Sequence, residues 1–135
     1  MTASTVPYAL VVDDDPLIRF HACEILEEAG FRSHEADTGD EAICLLNDHA
    51  TNVILLFSDV EMPGKTDGFA LARHVDATWP HIEIVIASGR LVPQPGQMPF
   101  KATFLRKPFN NQMVLSHLRK TLPHGKKPEP LKRAV

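Results

Sequence analysis

Cross-linking and membrane-seeking features are what this chain has least of. Two cysteines stand in 135 residues, too few for a disulfide scaffold. Cys23 and Cys44 both fall in helix-like stretches among apolar neighbours and read as buried free thiols of a reducing cytosol. No apolar run approaches the roughly 18 residues that cross a bilayer. Met1–Pro7 carries no basic stretch followed by an apolar one, so neither a membrane span nor a secretory signal is expected. Charge of one sign is lacking too: 14 Lys and Arg oppose 17 Asp and Glu for a net −3. That offers no basic field for nucleic acid. The seven histidines show no HxxxH spacing and read mostly as surface residues.

What is present suffices for one core: the chain is 44% hydrophobic at the length of a single domain. Strand-like apolar runs alternate with helical patterns, the signature of βαβ units around a parallel sheet. Strands are expected at Ala9–Val12, Arg32–Ala36, Val53–Ser58, Ile82–Ala87 and Thr103–Leu105. Asp15 and Pro16 mark a helix start and Gly30 its end, with Ile18, Ala22, Ile25 and Ala29 on one face. Thr38 and Glu41 form a capping-box pattern for a helix through Asn47. Further helices are expected from Gly68 to Thr78 and from Asn110 to Leu122. Leu91–Ala102 holds Pro93, Pro95, Gly96 and Pro99, so this crossover should be mostly irregular. The division is a domain over 1–122 and a basic, proline-containing tail over 123–135, expected to be disordered.

Asp13-Asp14, Asp59 and Lys107 each stand just past one of these apolar runs. In an open α/β sheet the carboxyl ends of parallel strands open onto one crevice. Residues about 45 positions apart would therefore meet as three carboxylates and one ammonium, a charge density no fold needs. The reading is a divalent-cation site containing a reactive carboxylate. Asp15, third in its row, is assigned instead to helix capping.

From about Tyr8 to Leu122 the chain resembles the receiver domains of two-component response regulators, of the stand-alone, single-domain type. Five motifs carry the resemblance in order: Val11-Val12-Asp13-Asp14-Asp15, Asp59-Val60-Glu61-Met62-Pro63-Gly64, Asp67-Gly68, Ala87-Ser88-Gly89 and Lys107-Pro108-Phe109. The resemblance implies a flavodoxin-like, doubly wound five-stranded parallel sheet in order 2-1-3-4-5, here with a short or irregular fourth helix. It implies Asp59 as phosphoacceptor, taking its phosphoryl group from a sensor histidine kinase or a histidine phosphotransfer protein. Mg²⁺ (or Mn²⁺) would be held by Asp14 and Asp59 directly, by Asp13 through a water, and by the Glu61 backbone carbonyl. Lys107 and the Ser88 hydroxyl would contact the phosphoryl group, and Pro108 would follow a cis bond.

Phe104 and Ser88 would form the family's switch pair, Phe104 standing where a tyrosine is frequent. Glu61 and Arg90 flank the path of an attacking water, and an ion pair between them would slow hydrolysis of the acyl phosphate. An extra residue in Gly64-Lys65-Thr66-Asp67-Gly68 lengthens the loop after Asp59 and would alter kinase or phosphatase docking. The expected function is a cytoplasmic phosphoacceptor, itself no enzyme beyond self-catalysed phosphotransfer and autodephosphorylation. Its output would be contact with a downstream protein, as a monomer or weak dimer, without nucleic acid or membrane.

Two rival readings stand beside this one. A phosphorylation-independent adaptor would keep the fold and lose the chemistry. A haloacid-dehalogenase-type phosphatase would use Asp13-Asp14-Asp15 as its D-x-D. However, Leu17 stands where that motif needs Thr or Val, and Asp59 would go unexplained.

Overall fold

Five short strands and the helices between them follow from where the apolar residues fall. The computed structural model describes residues 6–132. The chain runs β1 (Tyr8–Val12), α1 (Pro16–Glu28), β2 (Arg32–Ala36), α2 (Gly39–His49), β3 (Val53–Asp59) and α3 (Gly68–Thr78). β4 (Glu83–Ser88), β5 (Thr103–Arg106), α4 (Asn111–Thr121) and a short α5 (Glu129–Lys132) follow. All strand pairings are parallel and the order is β2-β1-β3-β4-β5, as expected.

Alternate strand residues face opposite layers. Ala9, Val11, Leu55, Phe57, Val85 and Leu105 pack with Ala22, Ile25 and Leu26 of α1 and with Val114 and Leu118 of α4. Leu10, Val12, Leu56, Ile84 and Ile86 pack with Ala42 and Leu46 of α2 and with Phe69, Ala72 and Val75 of α3. With both faces covered, β1 and β3 are apolar almost throughout rather than alternating with polar residues.

Side-chain caps begin the four long helices. Asp15 accepts from the Leu17 and Ile18 amides at 2.9 and 3.4 Å, with Pro16 next in line. Thr38, Asp67 and Asn110 accept from amides three residues on, at 3.0, 2.8 and 2.8 Å. The reciprocal arm at α2 is shifted by one residue: Glu41 accepts from the Asp37 amide at 2.8 Å rather than from that of Thr38.

The crossover from β4 to β5 departs from the other three. Residues 91–102 form turns and no helix, consistent with three prolines in a dozen residues. Arg73 Nη1 donates to the Gln97 carbonyl at 2.6 Å, and Lys101 Nζ donates to that of Pro80 at 2.5 Å. These bonds tie the segment to α3 and to the turn before β4.

Two expectations need correction. Residues 123–132 are not a disordered tail. Leu131 is 1% exposed within the α1–α4 layer, and Pro128 and Pro130 press on Gly30. Lys126 Nζ donates to the His81 carbonyl at 2.7 Å and to Glu83 at 2.6 Å. The basic, proline-rich composition concealed one leucine that can be buried and prolines that lose little entropy on ordering. The expectation for residues 133–135 lies outside the described residues. Cys44 is exposed on α2, because its helix turns Ala42 and Leu46 inward instead. Cys23 is buried as expected, and burial, aided by the nearby Glu35 charge, pushes its thiol up to about 11.

Candidate functional site

Strand register assembles the site. Val12 lies beside Ser58, Asp59 beside Ala87, and Ser88 beside Arg106. Asp13, Asp59, Ser88 and Lys107 consequently end four adjacent strands at the same pole of the sheet. They line an open crevice of about 330 Å³, together with Asp14, Glu61 and Arg90.

Lys107 Nζ lies 2.9 Å from Asp13 Oδ2 and 3.1 Å from Asp59 Oδ1. The side chains of Asp13 and Asp59 are only 6% and 12% exposed, so these contacts are poorly screened. One carboxylate oxygen from each of Asp13, Asp14 and Asp59 lies within 4.8 Å of the others. Burial raises the Asp59 carboxyl above its ordinary value; Lys107 opposes this and Asp13 adds to it. For Lys107, burial disfavours the ammonium, but the hydrogen bond to Asp13 and the Asp59 charge outweigh it and raise its pKa. The Lys107–Pro108 bond is cis, as expected.

The other expected residues are placed as follows. Ser88 is 2% exposed, and its hydroxyl oxygen accepts from the Leu91 amide at 3.1 Å. Its own proton is left to donate elsewhere. Phe104 is half-buried on β5 against the α2–α3 layer. Glu61 and Arg90 are exposed at the crevice, and among the described residues no ion pair joins them. The expected shield is not formed here, since nothing holds two exposed side chains together across an open mouth.

Two residues support the site through contacts that local sequence does not reveal. Arg19 donates to the Asp13 backbone carbonyl at 2.8 Å and to Glu35 at 2.9 Å, fixing the turn that presents Asp13 and Asp14. Its position one helical turn past Asp15 was the available signal. Gly68 packs so tightly that a Cβ there would collide with the Asp59 carbonyl oxygen, and its amide donates to Val60 at 2.8 Å.

All the crevice donors are oxygens, the set a hard divalent cation takes. Asp14 is exposed and Asp59 less deeply buried than Asp13, and Lys107 offsets the charge of the two buried carboxylates. The residues therefore fit Mg²⁺.

Fold and crevice together define a doubly wound α/β protein of flavodoxin-like topology with an acidic site at the strand ends. More narrowly, the chain belongs to the response regulator receiver domain family, whose model matches residues 9–119. It is 30% identical to the response regulator receiver protein CpdR of Brucella abortus, over 84% of this chain and 94% of that one. It is also 30% identical to the sensor kinase CckA of Brucella abortus, over 84% of this chain but 12% of the kinase. The chain thus spans a small part of some curated relatives it matches. Among solved structures, chemotaxis protein CheY4 of Vibrio cholerae superposes with a TM-score of 0.73 at 26% identity, covering 87% of this chain and 99% of that one. The receiver domain of hybrid histidine kinase CckA gives 0.71 at 28% identity, covering 86% and 99%. Among the described residues no helix is long and apolar enough to cross a membrane.

Proposed function

We propose that this receiver domain is a Mg²⁺-dependent phosphoacceptor. Asp59 would take a phosphoryl group from a phosphohistidine on a sensor kinase or a histidine phosphotransfer protein. The single observation that carries this is Lys107 Nζ seated between Asp13 and Asp59, with Asp14 completing the carboxylate set. An Asp59 oxygen attacks phosphorus as the bond from phosphorus to the donor imidazole nitrogen breaks. The electron pair returns to that nitrogen, which takes a proton from solvent. Lys107 would turn from Asp13 toward the arriving phosphoryl oxygens as a point charge. The Ser88 hydroxyl has a proton to donate to one of those oxygens.

Asp14, Asp59 and the Glu61 carbonyl would hold Mg²⁺, with Asp13 bridging through water. When bound, the metal neutralises charge on the transferring group. Catalysis here is positioning and charge balance, so the domain acts on itself and turns over no separate substrate. Output follows by protein contact in the cytoplasm. The CpdR and CckA likenesses support a kinase-linked phosphorelay.

Intact mass after incubation with a small acyl-phosphate donor tests this reading. Wild type should gain one phosphoryl group only with Mg²⁺, and Asp59→Asn should gain none. A wild type that binds Mg²⁺ yet stays unmodified by both the donor and a phosphorylated kinase would favour an adaptor instead.

A further inference from the structure

We propose that Asp40, on α2 and outside the crevice, is a positioning residue for the metal and phosphoryl site, acting through the loop after Asp59. The inference rests on the phosphoacceptor reading above and deepens it. Asp40 is the second residue of α2, and both its carboxylate oxygens reach the lengthened 64–66 loop. Oδ1 accepts from the Thr66 hydroxyl at 2.6 Å, a short, charge-assisted bond. Oδ2 accepts from the Lys65 amide at a longer 3.4 Å. The backbone around this clasp is shaped to fit it. A Cβ on Gly39 would collide with the Thr66 carbonyl and lie 2.9 Å from its side chain. Gly64 adopts a φ of +101°, where a side chain is strained, and a Cβ there would sit 3.0 Å from Asp40 Oδ2.

The loop is also pinned at its far end. The Gly68 amide donates to Val60, and Asp67 accepts from the Ala70 amide as the α3 cap. Residues 61–64 are therefore suspended between the Val60–Gly68 bond and the clasp on Lys65 and Thr66, and Asp40 supplies the anchor that comes from another element. Glu61 hangs between them, and its carbonyl is the backbone oxygen expected to complete the metal site. Loss of the clasp would let that carbonyl drift while Asp13, Asp14, Asp59 and Lys107 stay on their strand ends. Asp40 would thus tune metal affinity without touching metal or phosphate.

A first-turn aspartate also favours the helix dipole, and the test must separate the two roles. Asp40→Asn keeps an oxygen for Thr66 and loses the charge. Asp40→Glu keeps the charge and displaces the oxygens by a methylene. Calorimetric titration with MgCl₂ should show affinity falling about tenfold in Asp40→Ala and Thr66→Val, the lower end for supports of metal ligands. Asp40→Asn and Thr66→Ser should stay near wild type, while Asp40→Glu should fall with alanine. Hydrogen exchange of the amides of residues 61, 62 and 64–66 in metal-free protein should quicken in the same variants and no others. Unchanged affinity and exchange in Asp40→Ala and Thr66→Val overturns the inference. So does rescue by Glu but not Asn, which would assign the effect to helix charge. A wild type that takes up no Mg²⁺ overturns the phosphoacceptor reading, and this inference with it.

Discussion

The two ends of the sheet are built on opposite terms. At the carboxyl end, Asp13, Asp14 and Asp59 converge with Lys107 as their cationic partner. At the amino end, Lys126 bonds Glu83 and the His81 carbonyl, Leu131 fills the core, and two prolines pack on Gly30. One end holds like charges close together, and the other closes with matched charge and apolar burial. A domain that gathers repelling carboxylates at one pole needs its cohesion elsewhere, and residues 126–131 contribute part of it.

The comparison can be broken most severely at the closed end. Leu131→Ala should cost about 2–5 kcal/mol of unfolding free energy, as for other fully buried leucines. Mg²⁺ affinity should remain at the wild-type value, because the crevice lies at the other pole. Urea unfolding and calorimetry on the same protein check both halves.

A smaller effect of opposite sign is expected at the open end. The Asp59 carboxyl is raised in the fold, by burial first. Its contribution to stability is present below the ordinary carboxylate value and lost as pH rises through the raised value. Metal-free Asp59→Asn should therefore be more stable than wild type at pH 7, by on the order of 1 kcal/mol. The gap should narrow as pH falls through the raised Asp59 value, where wild type takes up the proton, and should narrow also when Mg²⁺ is added at pH 7. A metal-free variant that melts below wild type at neutral pH would contradict this account of a buried, partly repelled carboxylate.

The smallest effect lies away from both ends. His34 stacks on Tyr8 with ring centroids 4.4 Å apart and lies 4.8 Å from His49; burial, then that neighbour, lowers its pKa. His117, 2.8 Å from the Thr103 hydroxyl, is lowered by burial and then by Lys120. For a base lowered in the fold, stability is complete above 6.5 and declines as pH falls through the lowered value. A drop of under about 1 kcal/mol is expected below that pH. Asn in place of both histidines should flatten it in a pH series of melting curves.

Local pattern announced much of this architecture. Val53 to Phe57 is an unbroken apolar run, and only a strand covered on both faces calls for one. Asp15-Pro16 and Thr38 with Glu41 mark helix starts by backbone chemistry that needs no tertiary partner. Asp13, Asp14, Asp59 and Lys107 were legible because strand ends in a parallel sheet share one pole. What stayed hidden depends on contacts far apart in sequence. Arg19 onto Asp13 and Glu35, Asp40 onto Thr66, and Leu131 onto the α1–α4 layer leave no periodic mark. Cys44 was misplaced because apolar neighbours in sequence do not fix which side of a helix a residue takes.

Gly68 bears on how freely this sequence can vary. Its missing side chain lets the first turn of α3 rest against the backbone that carries Asp59. Even alanine there would wedge helix and strand apart at the Asp59–Val60 peptide itself. The alphabet at position 68 is thus reduced to one letter by a neighbour's carbonyl oxygen, independently of anything the domain binds.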